Sequence, residues 1–229
     1  MKIKLVYTTE SMKEKQKMKE KVKEFIVKNL KWIILFICLI GFLVIAEDVF
    51  NKEIMNGDIV GYKLISTFLI SDFATPIAKF ITNFGGAIFL AVLTIILFIL
   101  IKNKKIGVSI FSNLAIITAL NQLLKNILQR PRPTEYRIIE ETGYSFPSGH
   151  SMISMAFYGY LIYLIYKYVK NKYVKWTSMV LLSLLICSIG ISRIYLGVHY
   201  TSDVLGGFLI SISYLVIYIS AVNKFLIEK

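Results

Sequence analysis

LKWIILFICLIGFLVIAEDV, residues 30–49, decides the fold class. Crossing about 30 Å of hydrocarbon takes roughly 20 apolar residues of helix, and this stretch supplies them. The Lys-rich segment before it lacks a small-residue cleavage pattern, so it reads as a retained first span and not as a removed signal. Five further runs of similar character lie at about 84–101, 106–124, 150–168, 176–192 and 203–222. With 56% hydrophobic side chains, a chain of 229 residues carries more apolar surface than a soluble domain of that size can bury. The pattern predicts an all-α polytopic membrane protein with six transmembrane helices. In the first outer connection, 50–83, apolar stretches such as LISTFLI are broken by Asp72 and Pro76, which predicts short interfacial helices. Residues 1–29 read as a Lys-rich cytoplasmic tail and 30–229 as one domain without internal repeats.

The net charge of +13 raises the question of nucleic acid. Its distribution answers differently. With the N-terminus inside, the tail, the 102–105 turn, the 167–175 loop and the C-terminus all face the cytoplasm and hold most of the 27 Lys and Arg. This is the positive-inside bias, so the charge encodes topology, and KEKQKMKEKVKEF (13–25) reads as a solvated helix touching lipid headgroups. Both termini are then cytoplasmic. Cys38 and Cys187 fall in apolar runs and form neither a disulfide framework nor a metal-ligand spacing.

Three segments come to the outer face in this topology: KNILQRPRP (125–133), PSGH (147–150) and SRIYLGVHYTSD (192–203). They carry the only two histidines, His150 and His199, together with Lys125, Arg132, Arg193, Ser148, the Gly149 amide and Asp203. That inventory suits a phosphate. Arg offers a planar fork and Lys a point charge, and a helix N-terminus with a glycine adds free amides and a positive dipole end. His199 and Asp203, four apart, can share a helix face, letting the carboxylate hold one ring N–H and leave the other nitrogen as a nucleophile. His150 can protonate the leaving oxygen and then activate water. His199 must therefore start neutral and His150 protonated. Taken singly, PSGH is a helix start, His-x-x-x-Asp a local pair and the cations interfacial residues. Their convergence on one membrane face favours a phosphoryl-transfer site.

Lys125 with Arg132-Pro133, then Pro147-Ser148-Gly149-His150, then Ser192-Arg193 with His199 and Asp203, resemble the three-part signature of the type 2 phosphatidic acid phosphatase (PAP2) superfamily. The resemblance implies an all-helical core and metal-independent dephosphorylation through a phosphohistidine, with no cofactor. It gives His199 as nucleophile, Asp203 as its orienting partner and His150 as general acid and base. Lys125, Arg132, Ser148, Gly149 and Arg193 would bind phosphate. The earlier Arg130-Pro131 makes Arg130 a secondary candidate for a headgroup or diphosphate.

The expected substrate is a membrane lipid phosphate or diphosphate at the extracytoplasmic face, with undecaprenyl diphosphate favoured and phosphatidylglycerol phosphate or phosphatidate as alternatives. A lipid phosphotransferase and a non-catalytic lipid-binding protein are the competing classes. The motifs touch only the phosphate, so specificity falls to the 50–83 connection and to the 134–146 loop with Glu135, Glu140 and Glu141. The tyrosines at 158, 160, 163, 166 and 168 read as packing and interface anchors.

Overall fold

The computed structural model describes residues 2–52 and 55–227, with side chains described from residue 18. In chain order the helices are α1 (Lys2–Phe50), α2 (Asn56–Phe68), α3 (Ala74–Asn83), α4 (Ala87–Leu100), α5 (Lys104–Leu128), α6 (Gly149–Tyr168), α7 (Lys172–Tyr195) and α8 (Thr201–Val222). A π-helical stretch, Asn223–Ile227, extends α8, and no strand occurs among the described residues. Local chemistry sets several boundaries. Asn103 accepts the Lys105 amide at 3.0 Å to start α5, and Asn171 accepts the Val174 amide at 3.1 Å to start α7. Gln129 ends α5 in the left-handed region, φ 44°.

Helices α5, α7 and α8 surround α6, and α1 packs along α8. The main core forms where Leu90, Ile110, Phe157, Ile186, Ile189 and Leu215 meet. Large apolar side chains such as Phe36, Ile37, Ile99, Leu100 and Leu181 face outward, as they must where lipid replaces water.

Among the described residues, four helices are long and apolar enough to cross a membrane: Met18–Phe50, Lys104–Leu128, Lys172–Tyr195 and Thr201–Leu226. The pair α3–α4, bent by 50°, counts as a fifth if it is one broken span. The expectation of six is therefore met only in part. The run at 150–168 does form a helix, α6, but falls short in apolarity. Lying between α5, α7 and α8, α6 meets protein and can carry hydroxyls: Tyr158 donates to the Phe84 carbonyl and Tyr160 to Ser109 Oγ, both at 2.7 Å. The 50–83 connection is helical as expected. However, α3 is no free interfacial helix, because it buries Ala78 and Thr82 and packs on α7.

Candidate functional site

Four pieces of chain meet at one end of the bundle: the end of α5 with the loop after it, the approach to α6, the turn from α7 into α8, and α2. Lys125, in the last turn of α5, donates through Nζ to the carbonyls of Tyr144 and Ser145, the latter at 3.3 Å. Ser145 in turn donates its amide to the Arg130 carbonyl at 2.8 Å, which holds the two loops together. Ser148 caps α6, accepting from the Ser151 hydroxyl at 3.0 Å, and its amide donates to the Asp203 carbonyl at 3.0 Å. A Cβ on Gly149 would lie 3.1 Å from Asn121 Oδ1, so glycine lets the α6 N-terminus close on α5 beside Lys125.

The α7–α8 turn depends on Gly197, at φ +69°, where a Cβ would run into the Tyr136 carbonyl. The turn brings His199 beneath Asp203. His199 lies just before α8 rather than on it, and its Nδ1 is 3.2 Å from Asp203 Oδ2. The same oxygen accepts the Tyr200 amide at 2.8 Å and the Ser145 hydroxyl. Arg132 Nη1 stands 3.1 Å from His199 Nε2. Because Arg can only donate, Nε2 is the acceptor and Nδ1 carries the proton, directed at Asp203. Burial drives the pKa of His199 down to about 4 although Asp203 pulls it upward, so at neutral pH the ring is uncharged.

Arg132 is anchored by the carbonyls of Thr142, Gly143 and Val198 at 2.9–3.0 Å. Arg193, 1% exposed, donates to Thr82 Oγ1 at 2.8 Å and to Glu141, while its buried Nε has no partner among the described residues. Glu141 thus sits between the two arginines, 3.9 Å from Arg132 Nη2. Burial pushes its carboxyl up, yet Arg193 and Arg132 outweigh this and leave its pKa below the ordinary value. His150 makes no hydrogen bond among the described residues, and its ring lies close to Gly85 at the α3–α4 bend. Arg193, Arg132 and Lys125 are its cationic neighbours.

All eight expected residues, Lys125, Arg132, Ser148, Gly149, His150, Arg193, His199 and Asp203, therefore stand at this end of the bundle. Arg130 differs from its expected role. Instead of facing a headgroup it is buried between Asp58 at 2.7 Å and Asp203 at 2.8 Å. The sequence reading missed Asp58, Ser145 and Thr82. Ser145 lies within hailing distance of PSGH, but Asp58 and Thr82 come from helices distant in sequence and carry no local spacing signal.

Beside the site lies a cavity of about 670 Å³, lined by α2 through Asp58, Ile59, Tyr62, Lys63 and Ser66, by Pro133, Thr134, Glu135 and Tyr136, and by Gly197, His199 and Tyr200. The rings of Tyr62 and Tyr136, both in its lining, stack on each other with centroids 4.8 Å apart.

The model of the PAP2 superfamily matches residues 105–227, more than half of the chain. The protein belongs to that superfamily, and its apolar helices make it a membrane protein. It is 28% identical over 172 residues to phosphatidylglycerophosphatase B of Bacillus subtilis, covering 73% of this chain and 84% of that one. It is 26% identical over 191 residues to an undecaprenyl-diphosphatase of Sulfolobus acidocaldarius, covering 78% and 84%. Among solved structures, the transmembrane PAP2-type phosphatidylglycerolphosphate phosphatase of Bacillus subtilis superposes with a TM-score of 0.71 at 26% identity, over 83% of this chain and 96% of that one. Aquifex aeolicus LpxE shares the fold at a TM-score of 0.57 and 24% identity, over 69% and 92%.

Proposed function

We propose that this protein is a metal-independent lipid phosphatase that removes the terminal phosphate of a membrane lipid phosphate or diphosphate through a phosphohistidine. The observation that carries the reading is the tautomer of His199: Nδ1 held by Asp203, Nε2 unprotonated and turned toward Arg132. Nε2 attacks phosphorus, forming the N–P bond as the bond from phosphorus to the lipid oxygen breaks. His150 gives that oxygen its proton. Asp203 stabilises the positive charge gained by the ring. Water then attacks phosphorus, His150 takes its proton, the N–P bond breaks and inorganic phosphate leaves.

Lys125, Arg132, Ser148, Gly149 and Arg193 hold the phosphate oxygens, and the unpartnered Nε of Arg193 is a donor that an anion would satisfy. In this reading the chain has six spans with α6 as the central one, both termini are cytoplasmic and the site faces the extracytoplasmic side, a topology supported by the Lys residues at 102–105 and 167–175. The tail 1–29 lies outside the catalytic domain in this reading.

The two regions expected to set specificity, 50–83 and 134–146, both line the cavity beside His199. Its tyrosines and Ile59 suit a lipid, and Lys63 a second negative charge. Undecaprenyl diphosphate matches the latter, while the identity to a phosphatidylglycerophosphatase favours phosphatidylglycerol phosphate.

Phosphate release from undecaprenyl diphosphate, phosphatidylglycerol phosphate and phosphatidate in EDTA, by wild type and His199→Ala, tests the reading. Turnover by wild type alone is expected, and the largest kcat/KM names the lipid. Equal turnover by the variant refutes the nucleophile. Lipid binding without release would favour a phosphotransferase or a binding protein.

A further inference from the structure

We propose that Asp58 and Arg130 form a charged brace that positions the Asp203–His199 pair for phosphoryl transfer. This rests on the phosphohistidine reading above. Arg130 divides its fork between two carboxylates: Nη1 donates to Asp203 Oδ1 at 2.8 Å and Nη2 to Asp58 Oδ2 at 2.7 Å. Ser202 closes the figure. Its Oγ accepts from Arg130 at 2.7 Å and donates to Asp58 Oδ2 at 2.9 Å, while its amide donates to Asp58 Oδ1 at 2.8 Å. The guanidinium also lies over the Tyr200 ring, 4.1 Å from its centre. Asp58 thus caps the N-terminus of α8 from another helix, α2, and Asp58, Arg130 and Asp203 are all buried.

Burying three charges is costly, and an apolar substitute is often at least as stable, so stability alone is a weak reason for the cluster. Its geometry does something specific. Arg130 occupies Asp203 Oδ1, which fixes the carboxylate's rotation and leaves Oδ2 for His199, Ser145 and the Tyr200 amide. Asp58 balances Arg130. With both acids ionised, the three groups keep one net negative charge, available to stabilise the imidazolium that forms when phosphorus is attacked. Without Asp58, Arg130 would draw on Asp203 alone and the trio would be neutral. Lys125, Arg193, Ser148 and Gly149 have no contact with Asp58 or Arg130 among the described hydrogen bonds, so the loss should fall on the chemical step and not on phosphate binding.

The test compares Asp58→Asn, Asp58→Glu, Ser202→Ala and His199→Ala with wild type in detergent, using whichever of undecaprenyl diphosphate and phosphatidylglycerol phosphate wild type turns over faster. Asp58→Asn is expected to lower kcat at least tenfold while KM and the Ki of inorganic phosphate stay within about twofold. Asp58→Glu, which keeps the charge, should return kcat to within about threefold of wild type. The brace is overturned if Asp58→Asn keeps kcat, if KM and Ki worsen along with kcat, or if Asp58→Glu is as slow as Asp58→Asn. Should Asp58→Asn not yield monodisperse protein, Ser202→Ala decides: a kcat about threefold lower at unchanged KM supports the brace, and an unchanged kcat overturns it. Full activity in His199→Ala would instead sink the phosphohistidine reading. An inactive His199→Ala beside a fully active Asp58→Asn sinks the brace alone.

Discussion

Two buried polar regions lie within this helix bundle, and they are built differently. At the site end, Asp58, Arg130, Asp203, Arg193 and His199 bring charges and a titratable ring out of solvent, held mainly by loops and helix ends. Deeper in the bundle, Tyr160 donates to Ser109 Oγ at 2.7 Å, Tyr218 shares a hydrogen bond with Ser112 at 2.7 Å, and Tyr214 donates to the Asn113 carbonyl at 3.3 Å, all from α5, α6 and α8. The second set is neutral and joins helix to helix. Neutral hydroxyls cost little to bury when paired and serve as glue, whereas charges at membrane depth are expensive and are kept where chemistry needs them. Substitution should therefore separate the two regions cleanly.

The largest difference is expected at Arg193. On the proposed mechanism Arg193→Ala removes a preorganised donor to the phosphate and should reduce kcat/KM by about 10²–10³-fold, read from initial rates on the preferred lipid. A smaller loss than that from Tyr160→Phe would erase the distinction between the regions.

Glu141 is next in size. Its carboxylate pairs with both Arg193 and Arg132, so a phosphate bound there as proposed would compete with it. Glu141→Gln should lower the Ki of inorganic phosphate by roughly threefold to tenfold, since an opposing charge is removed from an anion site. A weaker phosphate inhibition in the variant would mean that Glu141 orients the arginines more than it competes.

A pH effect follows from His199. In the unfolded chain its proton binds near pH 6.5, and in the folded protein only near 4. Between these values the unfolded state binds more protons, so stability rises with pH and is lost as pH falls from about 6.5 toward 4. Melting temperatures at pH 7 and pH 5 should drop further for wild type than for His199→Ala. Equal drops would place the acid sensitivity elsewhere.

The smallest effect belongs to the neutral network. Tyr160→Phe removes one hydroxyl, while Ser109 Oγ still donates to the Ile106 carbonyl at 2.7 Å. It should cost about 0.6 kcal/mol of stability and change kcat/KM less than twofold, measured by thermal unfolding and steady-state rates.

The legible and illegible parts of the site differ in how far apart their partners lie. Lys125 and Arg132, or His199 and Asp203, stand within a few residues of each other, so their spacing in the chain foreshadows their spacing in space. The same holds for PSGH, where cap, glycine and histidine are consecutive. Arg130 was misread for the opposite reason: beside Arg132 it resembles a second phosphate ligand, and only the arrival of Asp58 from α2 turns it inward. The helix at 150–168 was legible as a helix, yet its polar residues make sense only because α5, α7 and α8 shield it from lipid.

From the sequence alone, apolar length determined a helical membrane protein, and three local motifs picked out residues that the structure gathers at one end of the bundle. Tertiary structure decided which nitrogen of His199 carries the proton, that Glu141 stands between the arginines, and that Arg130 links Asp58 to Asp203. Helix formation and capping depend on neighbours within a few residues and are written into local order. Hydrogen bonds between α2, the loop after α5 and the start of α8 depend on how whole helices pack, and no local pattern encodes them.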